Sequence, residues 1–369
     1  MDWAFLKSAI KLAKSIICKR PNYLIFFITS ECNLRCKFCS NWERNATHKK
    51  EQELTLREIY LIAQNFSDLY YLTITGGEPF LRQDLVQIVS IFKRISGVEI
   101  INITSNGFSP EIIEHQVRLI LKLNPTLHLS IDISIDDIEQ NHDNIRGSSG
   151  SFEKAIQTIT RLIKLQKNYP NLDVRTSTTI SRFNEANINH TIEWIQEHLQ
   201  ITMPTISIVR GNPRDAEALR INKRIVLQFI KKTTEYMKSK IRTEHNPRTQ
   251  LLETIKLINW EINLNKIWGK NYEYHCVAGR NMLTIDDIGE ILPCEILPDS
   301  FGNLRDYDFN LQRIIQSEKC QTIMRKIKNS KCNCSFECAI QNSLVNNPRF
   351  YAYILMRYLK IKFEHIEKK

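Results

Sequence analysis

Residues 23–39 read YLIFFITSECNLRCKFC, an apolar, β-rich run that gives way to three closely spaced cysteines. The first part predicts a buried strand over Leu24–Thr29, since a short continuous apolar run suits the interior of a sheet. Cys32, Cys36 and Cys39 follow as C-x3-C-x2-C. Three thiolates at this spacing fit a zinc site that lacks its fourth ligand, for which His48 is a candidate, or a [4Fe–4S] cluster with one iron left open. Their position just past a strand supports a ligand site, because α/β domains bind ligands beyond the carboxyl ends of their strands.

Outward from this stretch the chain alternates strand and helix patterns. Further strands are expected at Tyr71–Thr75, Glu99–Thr104, Leu127–Ile133, Asp173–Ile180 and Thr205–Val209. Helices are expected at Thr55–Phe66, Leu81–Ile95, Pro110–Leu123, Ser151–Gln166 and Asn187–His198, with Ser151 as an N-cap. Six strands separated by such helices argue for parallel βαβ units and an α/β fold. After Val209 the pattern becomes helical over 215–268 and then cysteine-rich and irregular to Cys338. The expected organisation is a basic amphipathic helix over 1–21, an α/β core over 22–214, a helical linker and cysteine-rich domain over 215–348, and a basic aromatic helix over 349–369.

A chain of 369 residues with 42% hydrophobic and 25% charged residues has the composition of a globular protein. No apolar stretch is long enough to span a bilayer, and none reads as a signal peptide. The chain is therefore expected in the cytosol, where ten cysteines point to metal binding or catalysis rather than disulfides. The net charge of +11 belongs mostly to the ends. Residues 1–20 hold five Lys or Arg against one Asp, and residues 349–369 hold six against two Glu. A nearly neutral body argues against a nucleic-acid partner. The ends suggest peripheral contact with an anionic membrane surface, against the plainer reading that both helices pack on the core.

The second strand runs into Gly76-Gly77-Glu78-Pro79, where two glycines permit close backbone approach and Glu78 offers an acceptor for an ammonium group. Taken alone, the tetrapeptide also reads as a tight turn. CNLRCKFC followed by this turn resembles the radical S-adenosylmethionine (SAM) superfamily over roughly residues 22–212, which implies a partial (β/α)6 barrel. The resemblance implies that Cys32, Cys36 and Cys39 ligate a [4Fe–4S] cluster whose open iron is chelated by SAM. It implies that Gly76, Gly77 and Glu78 meet the SAM amino group, and that Ser130 and Asp132 contact the ribose. Arg146 is similar to an arginine that reaches the SAM carboxylate, with a loop salt bridge as the alternative. Asn106 is a candidate for the adenosine pocket.

Cys276, Gly289 and Cys294 form C-x12-G-x4-C, and KCNCSFEC holds Cys332, Cys334 and Cys338. Structural zinc suits such a set. The pattern also resembles the auxiliary-cluster domains, SPASM or the shorter twitch, that follow radical SAM barrels. That resemblance implies one auxiliary [4Fe–4S] cluster on Cys276, Cys294, Cys338 and either Cys332 or Cys334. Cys320 and Cys18 are expected to be buried core thiols.

The expected function is a radical SAM enzyme that modifies an unactivated carbon of a lipid, natural-product intermediate or peptide, with no residue assigned to the substrate side. It would take electrons from an external donor of the flavodoxin or ferredoxin type. The alternatives are a peptide or protein maturase with a separate recognition partner, and a noncatalytic zinc or iron–sulfur scaffold. The first strand begins too early for an N-terminal leader-binding domain, which weighs against leader-guided modification.

Overall fold

The computed structural model describes residues 3–18, 20–201, 203–267, 269, 276–330, 332 and 334–364. Six strands, β1 (Tyr23–Thr29), β2 (Tyr71–Gly76), β3 (Ile100–Ser105), β4 (His128–Ser134), β5 (Leu172–Ile180) and β6 (Thr205–Ile208), lie side by side in chain order, all parallel. This is the expected α/β architecture of a partial barrel. Helix α1 (Trp3–Cys18) precedes β1. The crossovers are α2 (Trp42–Thr47) with α3 (Leu56–Gln64), then α4 (Leu85–Ile95), α5 (Pro110–Leu123), α6 (Glu139–Arg146) with α7 (Ser151–Gln166), and α8 (Ile188–Leu199).

Period-two alternation explains how the sheet is sandwiched. Leu72, Ile74, Ile101, Ile103, Leu129, Ile131 and Ile133 are fully buried on the apolar face. Helix packing covers that face, as where Phe26 of β1 meets Phe92 of α4 edge-on at 5.7 Å. The opposite face carries Thr, Ser, Asn, Asp and Arg.

The caps show what starts two of the helices. Thr55 and Glu58 form a reciprocal capping box ahead of α3. Ser151 does not cap α7. It is the first helical residue, behind Gly150 in a left-handed conformation. The cap comes from Asp143 of α6, which accepts from Gly150 N–H at 2.6 Å, Phe152 N–H at 2.8 Å and Ser151 Oγ at 2.8 Å.

The stretch expected to be irregular after Tyr274 contains a hairpin. β7 (Met282–Ile285) pairs parallel with β1, β8 (Glu290–Leu292) returns antiparallel, and β9 (Gly302–Asn303) follows. The turn forms because Asp286 Oδ1 accepts the N–H groups of Ile288 and Glu290, at 3.2 and 2.8 Å. Residues 215–348 are therefore not one unit. The chain divides into Met1–Ile221 with Gly279–Ile323, and Asn222–Ala278 with Met324–Lys369. The physical reason is β1, whose free edge β7 covers. The later helices are α9 (Lys223–Thr243), α10 (Pro247–Ile267), α11 (Leu311–Gln316), α12 (Glu318–Asn329), α13 (Glu337–Asn346) and α14 (Arg349–Phe363). In the second unit Ile241, Leu257 and Ile361 form a buried cluster, with Met237 and Tyr358 against it.

Helix α1 sits differently from either expectation. Lys14 and Arg20 both reach Asp68, at 3.0 and 3.2 Å, and Lys11 donates to the carbonyl of Gly97. Lys11 and Lys14 thus find acceptors on the core although Lys14 stays exposed, as Ala13 and Ile17 do. Cys18 is exposed with them and is not a core thiol, because the buried position of this last turn is Ser15.

Asp143 gives the first test. Burial opposes its charge, but hydrogen bonds from Phe152, Ser151 and Gly150 hold its carboxyl below the ordinary value of 3.8. The cap therefore stabilises the fold above that pH and is lost as pH falls through the lower folded value. Asp143→Ala should cost about 1–2 kcal/mol in urea unfolding at neutral pH. The gap to wild type should close on acidification, and a gap independent of pH would contradict the capping role.

Candidate active site

The loop that leaves β1 carries Cys32, Cys36 and Cys39, and backbone hydrogen bonds hold it from three directions. From the turn after β2, Gly77 N–H donates to Thr29 O at 2.8 Å and Glu78 N–H to Glu31 O at 2.7 Å. From the end of α6, the carbonyls of Arg146 and Ile145 accept from Arg35 and Lys37, at 3.1 and 2.9 Å. From the segment after β6, Arg214 and Asp215 donate to the carbonyls of Cys39 and Lys37, at 3.1 and 2.8 Å.

Glycine makes these approaches possible. A Cβ on Gly77 would lie 2.0 Å from the carbonyl oxygen of Glu31, and one on Gly147 would lie 2.7 Å from that of Arg35. Gly76 and Gly77 thus bring the backbone against the cysteine loop itself. Arg82, which the sequence reading passed over, bonds the carbonyls of Ile28 and Leu54 and pairs with Asp84 at 2.7 Å.

Glu78 is buried and fully engaged. Its carboxylate accepts from Asn106 N–H at 2.7 Å, Ser105 Oγ at 2.9 Å and Phe80 N–H at 3.1 Å, tying the end of β2 to the end of β3. Burial pushes its carboxyl up to about 7, against those three hydrogen bonds. The Asn106 amide donates to Asn33 at 2.7 Å and stands 4.0 Å from Cys32 Sγ. Arg146 is also buried. It pairs with Asp136 at 2.5 Å and donates to Cys36 Sγ at 3.6 Å, so the loop salt bridge and the approach to the cysteines are both present.

The cysteine triad fits an iron–sulfur cluster by its own chemistry. Burial drives the Cys32 thiol up to about 12 and raises that of Cys39, and each is raised further by Cys36. Such thiols stay protonated unless a bound cation compensates their charge. Arg146 and Asn106 supply N–H donors at the sulfurs, the kind of outer-shell contact that tunes a cluster.

Ser130 and Asp132 lie on β4, on the polar face of the sheet. Thr75 and Thr104 hydrogen-bond there at 2.8 Å, as do Thr179 and Ser207 at 3.2 Å. Arg175 of β5 crosses this face. It reaches Asp132 at 3.2 Å and Asn102 at 2.8 Å, and hydrogen-bonds Tyr71 of β2, three strands away. A bond that skips two strands marks this face as the inside of a curved sheet. Arg175 had no motif to announce it. The alternation of polar residues along β3 to β6 was its only signal.

Among the later cysteines, Cys332 hydrogen-bonds with both Cys276 and Cys334, all within the second unit. Cys338 lies in the first turn of α13, in the same unit. Cys294 is buried just after β8 in the first unit. Cys320 is 1% exposed, and burial alone pushes its thiol up to about 11, as befits the expected core residue.

Comparison with known proteins agrees with this geometry. Residues 26–195 match the radical SAM superfamily. The AdoMet-dependent heme synthase of Methanosarcina barkeri is 27% identical over 309 residues, covering 78% of this chain and 81% of that protein. The GTP 3',8-cyclase of Haemophilus ducreyi is 27% identical over 199 residues, covering 53% and 56%. Native anSMEcpe with bound AdoMet superposes with a TM-score of 0.57 at 13% identity, over 94% of this chain and 99% of that one. Streptococcus suis SuiB bound to S-adenosylmethionine gives 0.60 at 14% identity, over 92% and 76%. The two structural likenesses speak for the fold. The family match covers residues 26–195, and its agreement with the site and with relatives named as enzymes speaks for a radical SAM enzyme and against the noncatalytic scaffold.

Gly77→Ala tests the clamp. Its Cβ has no room against Glu31, so the cysteine loop must shift. Anaerobic reconstitution should lose about four irons per chain, one cluster's worth. Gly150→Ala controls for backbone strain without a clash, since its left-handed φ of 74° strains any side chain but nothing lies within 4 Å of its added Cβ. It should keep its iron, and equal iron in both variants would contradict the clamp.

Proposed function

We propose that this chain reductively cleaves SAM and uses the product radical to remove a hydrogen atom from an unactivated carbon of a polar organic substrate. The observation that carries the proposal is the three-sided backbone grip on the loop of Cys32, Cys36 and Cys39. A [4Fe–4S] cluster held there supplies, when bound, the electron that splits the C5′–S bond of SAM into methionine and a 5′-deoxyadenosyl radical. An external donor of the flavodoxin or ferredoxin type would deliver that electron.

Each residue then has a task. The turn of Gly76, Gly77 and Glu78 borders the SAM amino group, with Glu78 fixing the turn. Arg146 attracts the SAM carboxylate while holding Cys36. Asn106 borders the adenosine, and Ser130 and Asp132 take the ribose hydroxyls, with Arg175 fixing the direction of Asp132. The polar inner face of the sheet supports a substrate that hydrogen-bonds, such as a natural-product intermediate or peptide, over a lipid. An enclosed wall would also keep the radical from competing partners.

In place of the expected set that includes Cys294, the four cysteines of the second unit, Cys276, Cys332, Cys334 and Cys338, are proposed to hold an auxiliary [4Fe–4S] cluster, supported by the contacts of Cys332 with two of the others. On the substrate, two readings have support. The heme synthase relative, aligned over most of this chain, favours a small molecule. The similarity to SuiB bound to precursor peptide SuiA favours a peptide, taken with a recognition partner.

Reconstituted wild type should carry about eight irons and release 5′-deoxyadenosine with a strong reductant. Replacing Cys32, Cys36 and Cys39 by Ala should leave about four irons and no release. Release from that variant would overturn the proposal. Asp132→Ala should weaken SAM binding by about 1–3 kcal/mol in equilibrium dialysis. Unchanged affinity would remove Asp132 from the pocket.

A further inference from the structure

Helix α14 (Arg349–Phe363) is apolar on two sides. Its inner side is core: Ile354 and Ile361 are buried, Ile361 in the cluster with Ile241 and Leu257. Its outer side is not covered. Tyr351 is 45% exposed, Leu355 53%, Met356 61%, Leu359 41% and Phe363 51%. At 3.6 residues per turn these five side chains share an arc of about 140°. Single exposed leucines are ordinary, but five large apolar side chains on one face of a 15-residue helix mark an interaction surface.

Charge indicates what covers it. Arg349 and Lys360 border the arc on its Met356 side and are exposed, while Lys362 lies within it and donates to Tyr358 Oη at 3.0 Å. The acidic groups nearby are turned to other partners: Glu364 lies 3.8 Å from Arg242, and Glu261 pairs with Arg357. The face is therefore apolar at its centre and cationic at its edge. That is the pattern of a helix lying in the headgroup region of an anionic bilayer.

We propose that the outer face of α14 binds the surface of an anionic membrane, with Leu355, Met356, Leu359 and Phe363 among the acyl chains and Arg349 and Lys360 against the lipid phosphates. The helix lies on the bilayer, since no helix among the described residues is long and apolar enough to cross it. The contact belongs to the second unit, and it does not depend on the radical chemistry. It would bring the enzyme to the membrane whatever the polarity of its substrate.

Co-sedimentation of the full chain with vesicles decides the matter. Wild type should bind phosphatidylglycerol-containing vesicles at low salt, release as salt rises, and ignore pure phosphatidylcholine. The triple variant Leu355→Ser, Leu359→Ser, Phe363→Ser should partition about tenfold or more weakly. Should that variant fail to fold by circular dichroism, the pair Arg349→Glu, Lys360→Glu leaves the apolar arc intact and should also bind about tenfold or more weakly. Three results would overturn the proposal. They are no binding of wild type at low salt, equal binding by folded variants, and a lipid-free dimer that the triple variant breaks, since the face would then be a protein interface.

Discussion

The structure depends on a backbone constraint. The loop of Cys32, Cys36 and Cys39 has no regular structure beyond its short turn, yet the β2 turn, the end of α6 and the segment after β6 all hydrogen-bond to its main chain. A cluster site needs sulfurs that stay fixed while their charge and ligands change. Main-chain clamps achieve this without crowding the space in front of the sulfurs. They also explain residue choices that would otherwise look unrelated. Gly77 and Gly147 are glycines because another main chain passes where their side chains would be. Glu78 is carboxylate because three donors converge on it.

A division of the sheet into two chemistries follows. Leu, Ile and Val on one face bury against helices and supply the bulk of the hydrophobic stabilisation. The other face is free of that duty, so it can be polar. The cost is a charged group inside, and Arg175 is neutralised there by Asp132 and Asp173, with Asn102 and Tyr71 as further partners. Losing one member of such a set would strand the others, so the set also fixes the orientation of Asp132.

Much of this was legible in the sequence. The strands announced themselves by continuous apolar runs or strict alternation, and α5 and α7 occupy the ranges their periodicity gives. The cysteine spacing and the Gly-Gly-Glu-Pro turn gave the chemistry. What stayed hidden required knowledge of neighbours. The capping of α7 by Asp143 joins two helices across a bend. The pairing of β7 with β1 joins residues more than two hundred positions apart. The apolar stripe of α1 suggested a packed face, yet Ala13 and Ile17 are exposed, while Lys11 and Lys14 find acceptors on the core. The glycines were read as making room for a ligand, and they make room for the loop that would hold it.

The central claim is that this loop holds a cluster with one iron open to SAM. Electron paramagnetic resonance of the reduced, reconstituted wild type, recorded with and without SAM, tests it most directly. The account predicts that SAM shifts the signal belonging to the Cys32, Cys36 and Cys39 cluster and leaves that of the second cluster in place. A spectrum unchanged by saturating SAM would contradict it.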